Sequence, residues 1–497
     1  MGIHRTHTTL TLLVGIPVIG ILVFRTWLLV RHDVPVGLDG GMYRDYFLEH
    51  QNIFQSMAFD QLPDYILQGF PPFLGIMWST LSLVGITADH LIIWWPPMLM
   101  IGIASLVYAI LRHWSSRQAV VGWMLTLFST VLFLLAWSGF LKQLLATFFL
   151  LASLYWVLKQ RYILVLLFQI CTLFTHRPTG LFLAVLFGIF SLLYIRSSIG
   201  KKTALTTLIV LVITSLMYLP VMSPLILDHL TWHSSISWLS WANSGGTFFD
   251  RTEFLMYVIP SILLLLAGTS IYVKRRIWPT LKRNEWEYQR WLQNPDHALI
   301  FIAWCLGLIW VTGGIIFYHR MQPLLEIMTV LLLCIVFVPI FLHHLWGKIL
   351  ISLVIVAQVI TSTIFAYTHS EPKIPKQEMD IIRQLGTLLP ERSYVVSSHP
   401  NYTAWLIGYS GKARDIIWPG ITDHWPEWSV QDWAQWRMLD GYSKCERMYE
   451  KYHDGYEPMF LFVGSLTREP FNLDGGYCFG EVYELWDVRL YEILFHR

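Results

Sequence analysis

The chain has 497 residues, 55% of them hydrophobic and only 14% charged, with a mean hydropathy of +0.50. That balance excludes an ordinary soluble globule and indicates a protein with many membrane-spanning segments. A formal net charge of +2, with no basic block long enough to track a phosphate backbone, excludes nucleic acid as a partner.

The N-terminal stretch "MGIHRTHTTLTLLVGIPVIGILVFRTWLLVRHD" has a basic start, about 22 apolar residues and no convincing small-residue cleavage site. It reads as a retained first span. Directly after it, "GLDGGMYRDYFLEH" (37–50) places Asp39, Asp45 and Glu49 among glycines and aromatics. Gly40 and Gly41 predict a sharp backbone turn that lets a bulky substrate approach Asp39. The alternative is a plain turn in which Asp39 bonds its own backbone. Tyr43, Phe47 and Phe54 recur at helical spacing, which predicts a juxtamembrane helix lying in the bilayer interface. Asp45 and Glu49, four residues apart on another face, repel unless Arg44 or a metal neutralises them, or simply face water.

Apolar runs of spanning type follow at 91–111, 118–137, 140–158, 162–175, 179–195, 203–222, 253–273, 298–318, 321–342 and 348–367, eleven with the first at 8–30. A twelfth, "PPFLGIMWSTLSLVGI" (71–86), is shorter and could span, re-enter or lie at the interface. The 24 Trp and 23 Tyr fit aromatic belts at the two interfaces, or a stacked groove for sugar or lipid. Basic loops mark the cytoplasmic side, most strongly "KRRIWPTLKRNEWEYQRW" (274–291) and "RSSIGKK" (196–202). Counting from these puts Lys142, His176–Arg177, His319–Arg320 and the C-terminal part outside. The first loop, about 31–70, joins them there only if 71–86 is not a full span.

From about 370 the pattern changes to short β-type runs ("SYVVSS", "MFLFVGS", "GEVYEL", "RLYEIL") and helical stretches ("KQEMDIIRQLGTLL", "NYTAWLIGY"). The expected organisation is an α-helical polytopic membrane domain over 1–369, with about 11–12 spans, and a small soluble α/β domain over 370–497, extracytoplasmic. Cys445 and Cys478 fall in that domain, where an oxidising compartment could join them. Cys171, Cys305 and Cys334 lie inside apolar runs and read as small hydrophobes.

Acids and cations gathered at one membrane face suit a particular reaction class. In sugar transfer from a polyprenyl phosphate or diphosphate the leaving group already carries negative charge. The protein then has only to deprotonate an acceptor hydroxyl and neutralise the phosphate. Asp39 is the expected general base. Arg44, Lys142, His176, Arg177, His319 and Arg320 are the candidate substrate-binding groups, Arg177 and Arg320 because a guanidinium can grip phosphate through two bonds. No cofactor is required on this reading; a divalent cation, if one is used, would sit among Asp39, Asp45 and Glu49.

An N-terminal span followed by "LDGGMYRDY", then "PDYILQGFPPFLG" leading into the next apolar segment, resembles the GT-C superfamily of integral membrane glycosyltransferases. That superfamily includes protein mannosyltransferases, aminoarabinose transferases and oligosaccharyltransferases. The resemblance implies an acid of the first outer loop as the catalytic group, here Asp39 with Asp45 as a second acid. It also implies polyprenyl-linked sugar donors, and places Pro71 and Pro72 beside the lipid groove. It is specific over about 40 residues. The Trp-Trp-Asp motif of the oligosaccharyltransferases is absent, since "WWPP" (94–97) and "ELWD" (484–487) are different contexts, and Phe70 stands where some relatives carry a base.

The function expected is therefore a membrane glycosyltransferase. It would move a sugar from a polyprenyl-phosphate donor to a hydroxyl of a glycan, lipid or protein acceptor at the outer face, in building the cell envelope. An undecaprenyl-linked glycan polymerase or ligase is the alternative. A transporter fits less well, because the charges cluster at span ends and no internal repeat is present.

Overall fold

The structure, a computed structural model, describes residues 18–32, 37, 40–49, 72–230, 294–312, 318–390, 393–411, 416–417, 435–436, 438–452, 458–465, 467, 473, 476–485 and 487–494. Asp39, Phe54, Phe70, Pro71 and the apolar run 253–273 lie outside these residues.

In chain order, the first apolar run becomes helix α1 (Val18–Val30) and "GGMYRDYFLE" becomes α2 (Gly40–Glu49). Then come α3 (Pro72–Ser82), α4 (Ala88–Leu111), α5 (Ser116–Leu127), α6 (Thr130–Trp137), α7 (Leu141–Leu158), α8 (Tyr162–Thr175), α9 (Arg177–Leu193) and α10 (Ser198–Leu230). After 294 follow α11 (Pro295–Thr312), α12 (Tyr318–Val336), α13 (Val338–Leu342) and α14 (Leu345–His369). The C-terminal part holds α15 (Lys376–Leu388), β1 (Tyr394–Ser397), α16 (Pro400–Tyr409), β2 (Ile416–Ile417), α17 (Gly441–Tyr452), β3 (Met459–Val463), β4 (Phe479–Leu485) and β5 (Val488–Ile493).

Among the described residues four helices are long and apolar enough to cross a membrane, or five if the bent pair α5 and α6 is one span, and five further apolar helices are shorter. With 253–273 set aside, each of the other ten spanning-type runs holds one of these helices or the bent pair, residues 8–17 of the first lying outside the described residues. The helical polytopic architecture with a small C-terminal strand region is thus present. Two expectations are refined. The segment 71–86 forms α3, whose 11 residues reach only about 16 Å, roughly half a hydrocarbon core, so the helix alone does not span. The run 118–137 is not one straight helix: it breaks between Leu127 and Thr130 with a bend of 43°. No proline causes this. Ser129 stops the ladder by turning its hydroxyl onto the Leu132 amide and capping α6.

The chain forms two compact units. The first takes in residues 1–28, 53–80 and 95–369; the second takes in 29–52, 81–94 and 370–497. The C-terminal region from Ser370 therefore folds together with α2 and the start of α4, two segments that the sequence places in the membrane half.

The second unit is built on a five-stranded sheet ordered β2-β1-β3-β5-β4, with β2, β1 and β3 parallel and β5 antiparallel to both β3 and β4. Its central strands are covered on both faces, which is why "YVV" and "MFLFV" are apolar without alternation. Val395, Phe460 and Phe462 pack with Ile382, Leu385, Trp405 and Leu406 of α15 and α16. Val396, Met459 and Leu461 face the other way, onto Trp436, Met448 and the Cys445–Cys478 region. Those two cysteines form a disulfide that closes a 33-residue separation.

Candidate functional site

The glycines of "LDGGMYRDY" do not make a sharp turn. Gly40 and Gly41 open helix α2, and neither is among the positive-φ residues. A methyl group on Gly41 would land on the Ala404 carbonyl of α16, and one on Gly408 would land on the Gly41 carbonyl. The missing side chains are used for helix-to-helix contact within the second unit. Tyr43, Tyr46 and Phe47 are 2%, 3% and 0% exposed, because the apolar face packs on protein rather than on lipid.

Arg44 lies at the centre of a polar cluster beside that contact. Its Nε donates to Asp89 Oδ1 at 2.9 Å, its Nη1 donates to the Gly408 carbonyl, and its guanidinium sits 4.6 Å from the Tyr409 ring centre. The Tyr409 hydroxyl donates to the same Asp89 oxygen at 3.3 Å, and Arg383 stacks on the ring at 5.7 Å. Burial, and after it the negative charge of Asp89, push the Tyr409 phenol well above its usual range. Arg44 thus ties α2 to α4 and α16. Within the second unit it pairs ionically with Asp89 of α4. Asp45 is partly buried on α2, and Glu49 is its last residue.

In the first unit the remaining candidates sit at helix ends. Lys142 is the second residue of α7. His176 occupies the break between α8 and α9, with its Nδ1 2.8 Å from the Thr179 hydroxyl, and the exposed Arg177 starts α9. His319 and Arg320 lie in the first turn of α12. The direction of the chain gathers these ends. His113 after α4 meets Asp296 of α11 at 3.0 Å, and Trp114 stacks on His297, so those two positions share one end of the bundle. Following each helix across, the α6–α7, α8–α9 and α11–α12 junctions all fall at the opposite end.

A further group was missing from the sequence reading. Arg25 of α1 is 3% exposed and donates to the Leu127 carbonyl at 3.0 Å, which the helix break has freed, and to the Ser129 carbonyl at 3.3 Å, which also accepts from the Phe133 amide. Phe128 and Phe133 cover its guanidinium at 5.4 and 5.1 Å. From the other side the Ser129 hydroxyl donates to Glu326 of α12 at 2.7 Å. Gln322, one turn nearer the His319–Arg320 end, is also buried, and its side-chain oxygen has no hydrogen-bond partner among the described residues. The available signal was a lone charge inside an apolar run, in "LVFRTWLL" and "PLLEIMTV". Among the described residues no group of three or more His, Cys, Asp or Glu side chains is placed to hold a metal ion.

No protein-family model matches the chain, and no curated protein matches its sequence. Solved structures do match. ArnT from Cupriavidus metallidurans in the apo state aligns over 99% of both chains, with a TM-score of 0.50 and 12% identity. ArnT from the same organism bound to undecaprenyl phosphate aligns over 97% of this chain and 98% of that one, with a TM-score of 0.52 and 14% identity. Membrane bundle and C-terminal region are both included in those alignments, and the fold of this protein is similar to that of ArnT.

Proposed function

We propose that the protein is an integral membrane glycosyltransferase that moves a sugar from a polyprenyl-phosphate donor to an acceptor hydroxyl at the outer membrane face. The observation that carries this reading is the alignment over nearly the whole of both chains with an ArnT bound to undecaprenyl phosphate. The gathering of Lys142, His176, Arg177, His319 and Arg320 at one end of the bundle agrees with it.

In the proposed reaction Asp39 takes the proton of the acceptor hydroxyl as its oxygen attacks the anomeric carbon. The bond from that carbon to the phosphate oxygen breaks, and the polyprenyl phosphate leaves with the bonding electrons. Cations from the three junctions hold the growing negative charge, and a water-poor site strengthens their effect. Arg44 acts here as a strut for α2, whose first residue follows Asp39 directly. The Cys445–Cys478 disulfide supports placing 370–497 outside the cytoplasm, where disulfides persist.

Purified protein in lipid nanodiscs, given radiolabelled polyprenyl-phosphate sugars and membrane extract as acceptor, should release polyprenyl phosphate and label the acceptor. Failure with a full panel of hexose and pentose donors would remove the transferase reading. Turnover should survive thorough chelation; loss that is restored by a divalent cation would instead assign a metal to the acids of the first loop.

A further inference from the structure

Gln322 of α12 is 2% exposed, and its side-chain oxygen has no hydrogen-bond partner among the described residues. A buried acceptor in that state destabilises the protein unless something donates to it. A second acceptor belongs to the same stretch of helix. Pro323 has no N–H, so the helix does not supply the His319 carbonyl with its usual partner four residues on.

The helix sets where these acceptors lie. Glu326, four residues farther along the same face, takes the Ser129 hydroxyl at the start of α6, and α12 packs against α6. Gln322 is therefore turned toward α6 as well, one turn nearer the α11–α12 junction. All eight residues of α6 are buried, and the helix runs from Ser129 to the α6–α7 junction. The Cα–Cβ bond of a helical residue tilts toward the N-terminal end, which directs Gln322 toward the junction rather than toward the bundle centre. It thus lies just inside the end of the bundle where Lys142, Arg177 and Arg320 gather.

Two acceptors awaiting a donor select a ligand that brings protons. An ionised phosphodiester and a polyprenyl chain bring none, whereas the hydroxyls of a sugar do. A phosphate ester held at the junction carries its sugar on the next bond, and Gln322 is only two residues past Arg320, about 3 Å along the axis. We propose that the Gln322 carboxamide oxygen accepts a hydrogen bond from a hydroxyl of the donor's sugar and so helps to choose which sugar is transferred. The inference rests on the transferase reading above. A sugar without that hydroxyl would leave the buried oxygen unpaired, and that is how such a group discriminates.

The test measures binding rather than turnover, so that its outcome stays separate from that reading. Full-length wild type, Gln322→Leu and Gln322→Asn in lipid nanodiscs are titrated with a panel of polyprenyl-phosphate hexoses and pentoses, and with undecaprenyl phosphate alone. Wild type should bind at least one sugar-bearing lipid more tightly than undecaprenyl phosphate. Gln322→Leu, which has no acceptor, should lose about tenfold of that preference, the effect of one buried hydrogen bond. Its affinity for undecaprenyl phosphate should match wild type, which also reports that the variant is folded. Gln322→Asn keeps the polar group but draws it back by one methylene. It should lower the preference too, so a folding failure of the Leu variant does not end the test. An unchanged preference in both variants, as an ordered water or a purely structural role would give, overturns the inference. So does a wild type that binds all the lipids alike. A wild type that shows the preference, loses it on substitution and yet transfers no sugar would support the inference and remove the transferase reading.

Discussion

Gly41 of α2 and Gly408 of α16 touch through their backbones, 367 residues apart in sequence, with no space for a Cβ on Gly408. The contact joins the acidic N-terminal segment to the C-terminal sheet unit, and Arg44 reinforces it through the Gly408 carbonyl. Gly408→Val should therefore destabilise the second unit by about 2 kcal/mol or more, because the obstacle is main chain and cannot rotate away. Thermal unfolding in detergent measures it, and an unchanged transition would show that α2 and α16 can separate freely.

Asp39→Asn should abolish sugar transfer while leaving the folding transition and donor binding near wild type. The amide keeps the shape and loses only the capacity to take a proton. Retained turnover would assign the base to another acid, with Asp45 the next to test.

Arg25→Met should lower stability by about 2 kcal/mol, since it strands the Leu127 carbonyl inside the bundle. Glu326→Gln, which still offers Ser129 an acceptor, should cost clearly less than Glu326→Ala. Equal costs for the two Glu326 variants would mean that Ser129 has found another acceptor.

Reduction of the Cys445–Cys478 disulfide, or its replacement by two serines, should cost about 4 kcal/mol by the loop-closure estimate for its 33-residue separation. Mass spectrometry after alkylation of membranes without reductant checks the pairing first. Free thiols at both positions in native membranes would contradict an extracytoplasmic C-terminal region.

Tyr409 gives a pH-dependent prediction. Its phenol is raised above the ordinary value of 10.0 by burial and by Asp89. The group's contribution to stability is therefore full below about pH 10. As pH rises past that value the unfolded chain ionises first, and stability falls. Tyr409→Phe should lose about 1 kcal/mol near neutrality with the hydrogen bond to Asp89, and should then fall less steeply than wild type at high pH. Parallel slopes would show that other groups dominate the alkaline unfolding.

The sequence by itself determined where the apolar helices lie and four of the five strands of the C-terminal sheet, the two-residue β2 being too short to leave a run. Membrane partition and strand pairing depend on local runs such as "MFLFV" and "LISLVIVAQVITSTIFAY", whose apolar character accumulates residue by residue. It also singled out the cations at the ends of α7, α9 and α12, because a charge beside an apolar run is a local feature. Tertiary structure alone decided how the groups are used. The break at Ser129 has a local cap but no proline, and Arg25 and Glu326 stabilise it from helices about 100 and 200 residues away in sequence. Likewise Gly41 and Arg44 look like parts of a substrate loop until α16 arrives to fill the space beside them. Such pairings arise from where distant helices pack, and no window of sequence around either partner encodes them.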